Sequence, residues 1–488
     1  MAELYIWMNG QRVGVWGQTR TGQHFLRYDE NWVASPQARA LSLSLPITAG
    51  AAEIRGEKVE RFFDNLLPDT PSIRQRIRGR YHTRSTDAFD LLTAIGRDCV
   101  GAVQLLPPGT QPAGWDRIES RQLSEIEVER ILASITSAPL GVYAQDEDME
   151  DHFRISIAGA QEKTALLRFG TEWHLPLGAT PTTHILKLPL GIVGGWRDLD
   201  MRDSIENEWL CAQIIRELGI GVARTEIATF GERKALVVER FDRRWQGVGT
   251  EEARVDGFKP PQGAWIARLP QEDFCQATGT PYDRKYEADG GPGIQACLDL
   301  LGTSAAGLLD RRTFVKAQLA FWMLCATDGH AKNFSIFHRP QGAFHLTPLY
   351  DVLSAWPVIG HGRNKLAIED AKLAMSLRGR SNHYRIKEIA PRHFKELASR
   401  CGDPELYPEL IALAAAVPAA LTRVEPLLPA QFPTHVWTAI ANGLSGQARL
   451  STEFAQWRYA RSHCQQSVLA FGSVPVAVRW PVELIVKV

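Results

Sequence analysis

The 488-residue sequence lacks an excess of either charge: Lys plus Arg and Asp plus Glu each number 55. A neutral chain offers no global basic field, which argues against DNA binding by the chain alone. Cysteine is scarce, with seven residues scattered from Cys99 to Cys464 and no paired or metal-type spacing. That pattern excludes a disulfide framework and a zinc finger, and reads as reduced packing residues. Long apolar runs are missing too. The most apolar stretch, 410–421, is too short for a membrane span and contains Pro418. The opening Met1-Ala2-Glu3-Leu4-Tyr5 has neither the basic nor the apolar region of a signal peptide. A cytoplasmic protein of roughly two to four domains, without membrane association, is expected.

Several elements are legible in chain order. Residues 5–8 and 11–16 alternate around Asn9-Gly10, a hairpin signature. Residues 42–46 suit a further strand. Residues 59–67, 72–81 and 89–95 suit helices, 101–106 a strand and 123–135 an amphipathic helix. The run Arg74, Arg76, Arg78, Arg80 and Arg84 fits a nucleic-acid or partner surface, or a solvated helix face, the commoner outcome. Pro and Gly at 107–114 mark a boundary.

Residues 154–168 pass from strand through the small residues Ala158, Gly159 and Ala160 back to strand. Small residues let backbone N–H groups approach phosphate, but the spacing to Lys163 is not that of a P-loop, and taken alone the stretch is more often a tight hairpin. Residues 183–189 form a strand carrying Lys187 among apolar neighbours, either a snorkelling side chain or a phosphate-gripping lysine. A gripping lysine needs a carboxylate partner. The helix 204–218, with Ser204 as N-cap, an apolar face of Leu210, Ile214 and Leu218, and Gly219 as stop, offers Glu206 and Glu208, of which Glu208 is chosen. Residues 235–242 read as a buried strand turning polar, suited to a hinge that meets adenine. Phe241 there is either a lid on the base or a core aromatic.

The helical stretch 314–326 ends in Thr327-Asp328-Gly329-His330-Ala331-Lys332-Asn333. A hairpin then returns through Gln341-Gly342 and residues 344–346 to Asp351. An Asp, an Asn five residues later and a second Asp beyond a hairpin is a phosphotransferase layout, with Asp328 orienting the attacking hydroxyl. Asn333 and Asp351 would supply the few hard oxygens that magnesium accepts. A polar capping turn beside an unrelated Asp matches this spacing equally well. The order loop, lysine strand, glutamate helix, hinge strand, catalytic loop and metal Asp moves the balance to a kinase.

The same segments resemble the HipA toxins, serine/threonine kinases of HipBA type II toxin–antitoxin systems. The matching strings are SIAGAQEKTALL from Ser156, PTTHILKLP from Pro181, ALVVERFDRRW from Ala235 and RLPQEDFCQ from Arg268. KYEADGGPGI from Lys285, TDGHAKNFSIF from Thr327 and LTPLYDVLSA from Leu346 continue it, and WMNGQRVG, SLSLPI, FFDNLLPD and FDLLTAIGRDCVGAV extend it to the N-terminus. The resemblance covers residues 4–454. It implies an α+β, two-lobed fold like that of protein and phosphoinositide kinases, with an added N-terminal subdomain. The corresponding divisions are 1–106 for that subdomain, 119–245 for the kinase N-lobe, 246–454 for a mostly helical C-lobe and 455–488 for an extension of unassigned role.

By motif, the resemblance implies Asp328 as catalytic base, His330 beside the transferring phosphate, Lys332 in the same catalytic loop, and Asn333 and Asp351 on magnesium. Lys187, paired with Glu208, would hold the phosphates of ATP, and Glu239 and Phe241 would contact adenine. Ile157, Ala158, Gly159 and Ala160 would cover the phosphates, with Ser156 as autophosphorylated serine. The implied acceptor is glutamyl-tRNA synthetase and the implied partner a HipB-like helix-turn-helix antitoxin, which carries the complex to operator DNA. An ATP-holding corepressor, and a small-molecule or lipid kinase, are the competing readings. Residues 246–264 read as an unusually long, mobile loop.

Overall fold

The computed structural model describes residues 2–48, 53–136, 161–193 and 198–470, with side chains to residue 453. The strand expected at 154–157, the loop Ile157, Ala158, Gly159 and Ala160, Ser156, the side chain of Cys464 and the apolar close at 474–486 lie outside the described residues.

The hairpin expected at Asn9-Gly10 forms between Ala2–Met8 and Gln11–Gln18. Both turn residues have positive φ, 44° and 78°, which Asn and Gly tolerate and most residues do not. The two strands lie within a five-stranded antiparallel sheet that also holds Ile54–Arg55, His24–Tyr28 and Gln104–Leu106. Helices Glu57–Asp64, Pro71–Tyr81 and Ala88–Ile95 accompany it. Trp16 and Phe63 stack at 3.8 Å in its core.

The second sheet has six strands in the order Thr225–Phe230, Arg233–Glu239, His184–Lys187, Lys163–Phe169, Glu172–Pro176 and Ser120–Leu123. Alternation splits its side chains between two cores. Leu186, Ala235 and Val237 face the helix Glu125–Thr136, whereas Leu236 and Val238 join the large core around the helix Ser204–Glu217. The remaining chain is mainly helical. Gly307–Leu324 is its buried axis, and a three-stranded sheet of Gln271–Asp273, Ser335–His338 and Phe344–Leu346 lies beside it.

Several expectations are corrected. Residues 42–46 form turns, not a strand, because the Ser42 and Ser44 hydroxyls both donate to the Gln276 carbonyl. Ser204 is the first helical residue, not the cap. Asp203 precedes the helix, and the Ser204 hydroxyl accepts from the Leu190 N–H at 2.9 Å. That helix is buried on all sides from Ser204 to Ile215, rather than along one apolar face. Leu123 belongs to the edge strand, and its helix begins at Glu125.

Arg74 leaves the supposed solvated face. It is buried, donates to the Pro68 carbonyl and Asp64, and lies 4.3 Å from the Tyr282 ring. The 246–264 segment is anchored: Gly170 donates to the carbonyl of buried Ala253 at 2.8 Å, and Phe258 packs on Phe169 and Trp245. Its flanking strands Arg243–Gln246 and Trp265–Arg268 pair across the division expected at 245/246, and the helix Thr434–Ala470 crosses the one at 454/455. The six cysteines with described side chains are all free and buried. Among the described residues no single helix is long and apolar enough to cross a membrane. Leu410, Leu413, Ala414 and Val417 are core residues instead.

Candidate active site

Lys187 ends its strand opposite Leu236, a residue of the large core, and is itself buried. Its Nζ donates to Glu208 Oε1 at 2.6 Å, and both residues are buried. The same ammonium also bonds Asp351 Oδ1. A charge buried this deeply persists only when paired, so the two carboxylates fix where it points. Asp351 is held in the left-handed region, at φ 56°, an uncommon conformation for a residue with a side chain. Three of the expected residues therefore meet at one point.

A second group forms on the loop after Gly307–Leu324. Cys325 ends the helix at φ 51°, and Gly329 lies so close to Phe321 that a Cβ would come within 2.4 Å of its ring. Only glycine lets the loop turn there. The Asp328 carbonyl accepts from the Asn333 side-chain amide at 2.7 Å and from the His330 N–H at 2.8 Å, while the Asp328 side chain is 57% exposed. His330 is buried with Nε2 3.7 Å from Asp328 Oδ1. Burial depresses its pKa to about 4, against the opposing pull of Asp328, so the ring is neutral. Tyr350 joins the two groups: its hydroxyl donates to the Lys332 carbonyl at 2.8 Å and contacts Ser335 Oγ at 2.5 Å.

Two expected residues point elsewhere. Lys332 is buried and turned to the N-terminal subdomain, where its Nζ donates to the Asn65 carbonyl, Asn65 Oδ1 and Asp69 Oδ1 at 3.1, 3.0 and 3.0 Å. Burial would lower the Lys332 pKa, yet Asp69 and Asp273 raise it. Glu239 shares the alternation of Val237, away from Lys187, and its carboxylate takes Arg254 Nη2 at 2.5 Å. Phe241 packs edge-on against Phe337 at 5.7 Å and lies at the same distance from Tyr350.

Residues without an assigned role in the sequence reading complete the surroundings. Asp69 also accepts from Lys285 Nζ at 2.7 Å. Burial would raise its pKa, but the two lysines hold it at about 2. Tyr286 donates its hydroxyl to Asp328 Oδ1. Lys163 lies opposite Lys187 in the sheet register, and burial followed by that like charge lowers its pKa to about 7. Next to the hinge, Asp98, Asp242, Arg240, Arg243 and Arg268 form one buried network, with Gly101 N–H on Asp242 Oδ2 at 2.7 Å. Burial would raise Asp98, but Arg243, Arg268 and Arg240 hold it far below the carboxylate range. Polar residues inside the apolar strings FFDNLLPD, LLTAIGRDCV and VVERFDRRW were the available signal, because a buried charge demands a partner.

An α+β protein with a lysine–glutamate pair, a polar loop after a buried helix and an added N-terminal subdomain has a kinase-like architecture. Residues 4–106 match the HipA N-terminal domain and 155–423 the HipA-like C-terminal domain. The chain belongs to the HipA family of toxin kinases. It is 34% identical over 355 residues to a putative kinase, Y4mE, of Sinorhizobium fredii, covering 72% of this chain and 77% of that one. It is 27% identical over 343 residues to the serine/threonine-protein kinase toxin HipA of Shewanella oneidensis, covering 67% and 69%. A solved Shewanella oneidensis MR-1 complex of HipA, HipB and operator DNA shares the fold, with TM-score 0.70, 23% identity and coverage of 91% and 96%.

Proposed function

We propose that this chain is an ATP- and magnesium-dependent serine/threonine protein kinase, the toxin of a type II toxin–antitoxin pair acting in the cytoplasm. The observation that carries this reading is Lys187 held between Glu208 and Asp351, with Tyr350 connecting that group to the loop of Asp328 and Asn333. Lys187 would grip the α- and β-phosphates, oriented by Glu208. Asp328 would accept the proton of the attacking hydroxyl, with neutral His330 near the transferring phosphate.

The residues fit magnesium. The Asn333 amide nitrogen is engaged by the Asp328 carbonyl, which leaves its Oδ1 for a cation, and Asp351 is already oriented by Lys187. Magnesium takes few protein ligands, because it keeps water and nucleotide oxygens in its shell. Held by Asn333 and Asp351, magnesium would supply positive charge against the phosphates of the nucleotide. At the adenine end Glu239 would act through its backbone, since Arg254 takes its carboxylate, and Phe241 would pack beside the base. Lys332 supports the loop from behind through Asp69. Ile157, Ala158, Gly159 and Ala160 would cover the phosphates. Phosphate on Ser156, with a charge near −2, would repel nucleotide and switch the enzyme off.

The acceptor we propose is glutamyl-tRNA synthetase, whose modification blocks tRNA charging and leads to growth arrest and antibiotic tolerance. The proposed partner is a HipB-like helix-turn-helix antitoxin. With equal numbers of acidic and basic residues in this chain, the antitoxin would supply most of the operator affinity, and the toxin would act as corepressor. The test is incubation of dephosphorylated protein with ATP, magnesium, the synthetase and its tRNA. Serine phosphate on the synthetase with loss of charging is expected. Modification of Ser156 alone would mean a different acceptor, and no transfer at all would leave a nucleotide-binding corepressor.

A further inference from the structure

The phenol of Tyr286 bonds Asp328 Oδ1, the oxygen that also lies nearest His330 Nε2. Among the described residues no donor is bonded to Oδ2. We infer that Tyr286 is a positioning residue for phosphotransfer: it fixes the Asp328 carboxylate through Oδ1, so that Oδ2 is presented to the acceptor hydroxyl. The inference rests on the kinase reading above. In that step the acceptor proton passes to Oδ2 as the acceptor oxygen bonds the γ-phosphorus and ADP leaves with the electrons of the broken P–O bond.

The competing use of such a contact is a pseudosubstrate, a phenol occupying the acceptor's seat until it swings away. The backbone around Tyr286 argues against withdrawal. Its carbonyl accepts from the N–H groups of Gly291 and Asp289 at 2.9 and 3.1 Å, and the preceding Lys285 carbonyl accepts from Ala331 at 3.4 Å. Lys285 Nζ is held by Asp69, the carboxylate that also holds Lys332 in the loop of Asp328. On the other side, Glu287 accepts from the Ser376 N–H at 2.5 Å and from its hydroxyl at 3.0 Å. The ring meets His330 edge-on at 5.0 Å. The segments that carry the tyrosine and the base are thus held, through Lys285 and Lys332, by the same carboxylate.

The need for a positioner follows from exposure. The Asp328 side chain is 57% exposed and would sample several rotamers in water. A hydrogen bond from a half-buried phenol selects one of them. Burial first, and then Asp328, push the phenol above its ordinary range, so it remains a donor at every pH of interest and does not compete for the acceptor's proton.

The test compares full-length wild type, Tyr286→Phe, Asp328→Ala and the double variant with ATP and magnesium. Transfer is read on the chain itself and on glutamyl-tRNA synthetase with its tRNA, alongside thermal unfolding. Tyr286→Phe should lower kcat about ten- to a hundred-fold, the worth of one hydrogen bond to a charged group, with the KM for ATP and the unfolding midpoint unchanged. Adding it to Asp328→Ala should cost nothing further, because it acts through that carboxylate. Wild-type turnover by Tyr286→Phe would overturn the inference, and faster turnover would establish the pseudosubstrate. If Tyr286→Phe proves unstable, Tyr286→Trp, which keeps a ring and an N–H donor, should retain more activity than Tyr286→Leu. Equal loss in those two would also overturn it. An inactive wild type would instead sink the kinase reading itself.

Discussion

The ammonium of Lys332, in the loop that carries Asp328, is bonded to Asp69 of the N-terminal subdomain at 3.0 Å. Both are buried or nearly so, and Lys285 shares the same carboxylate. The subdomain is therefore not an appendage. It fixes the back of the Asp328 loop through a charge pair that solvent does not screen.

Removing one partner of a buried pair leaves the other charge stranded. Asp69→Ala should lower unfolding free energy by about 3–5 kcal/mol and reduce phosphotransfer beyond the stability loss, as measured by urea denaturation and turnover at low temperature. Asp69→Asn, which retains a hydrogen-bond acceptor, should cost less.

Lys187→Met should lower kcat/KM by ~10²-fold or more, as expected when a donor aimed at transition-state charge is lost. Glu208→Gln should give a smaller decrease, because Asp351 still holds the ammonium. Turnover against ATP concentration checks both, and equal losses would show that Asp351 does not orient Lys187.

The hinge network makes its own prediction. Asp98 contacts Arg240, Arg243 and Arg268, all buried. Asp98→Ala would leave three guanidinium groups with Asp242 as the main remaining charge, so it should destabilise by about 3–5 kcal/mol in chemical denaturation. Because the folded-state pKa of Asp98 is depressed, its contribution is present above the unfolded carboxylate value of 3.8 and is lost as pH falls below it.

His184 titrates with the opposite charge type. Burial first, then Arg168 and Arg254, lower its pKa from 6.5 to about 3. Below pH 6.5 the unfolded chain binds a proton that the folded chain refuses, so stability falls from there toward about 3. The unfolding midpoint of wild type should therefore drop more than that of His184→Gln between pH 7 and pH 4.

Much of this was readable from spacing. The Asn9-Gly10 turn, the period of Lys187's strand, the helix ending before Asp328 and the hairpin leading to Asp351 each follow local rules, and each formed. Glu208 as the partner of Lys187 was readable too, since a buried lysine requires a carboxylate. What escaped were pairings remote in sequence: Asp69 with Lys332, Asp98 with Arg240, and Tyr286 with Asp328. No local period encodes them, because each joins elements far apart in the chain, two of them across the expected divisions and Tyr286 with Asp328 within one. Lys332 was misplaced for the same reason, its neighbours in sequence pointing to the site and its side chain to the subdomain behind. The 246–264 segment looked mobile from its Gly and Pro content, but Ala253, Arg254 and Phe258 secure it.

The most direct measurement is transfer of the γ-phosphate of ATP, with magnesium, by wild type and by Asp328→Ala and Asp351→Asn, together with ATP binding by all three. The account predicts transfer by wild type alone, ATP binding retained by Asp328→Ala, and magnesium-dependent binding weakened in Asp351→Asn. Undiminished transfer by Asp328→Ala would contradict it.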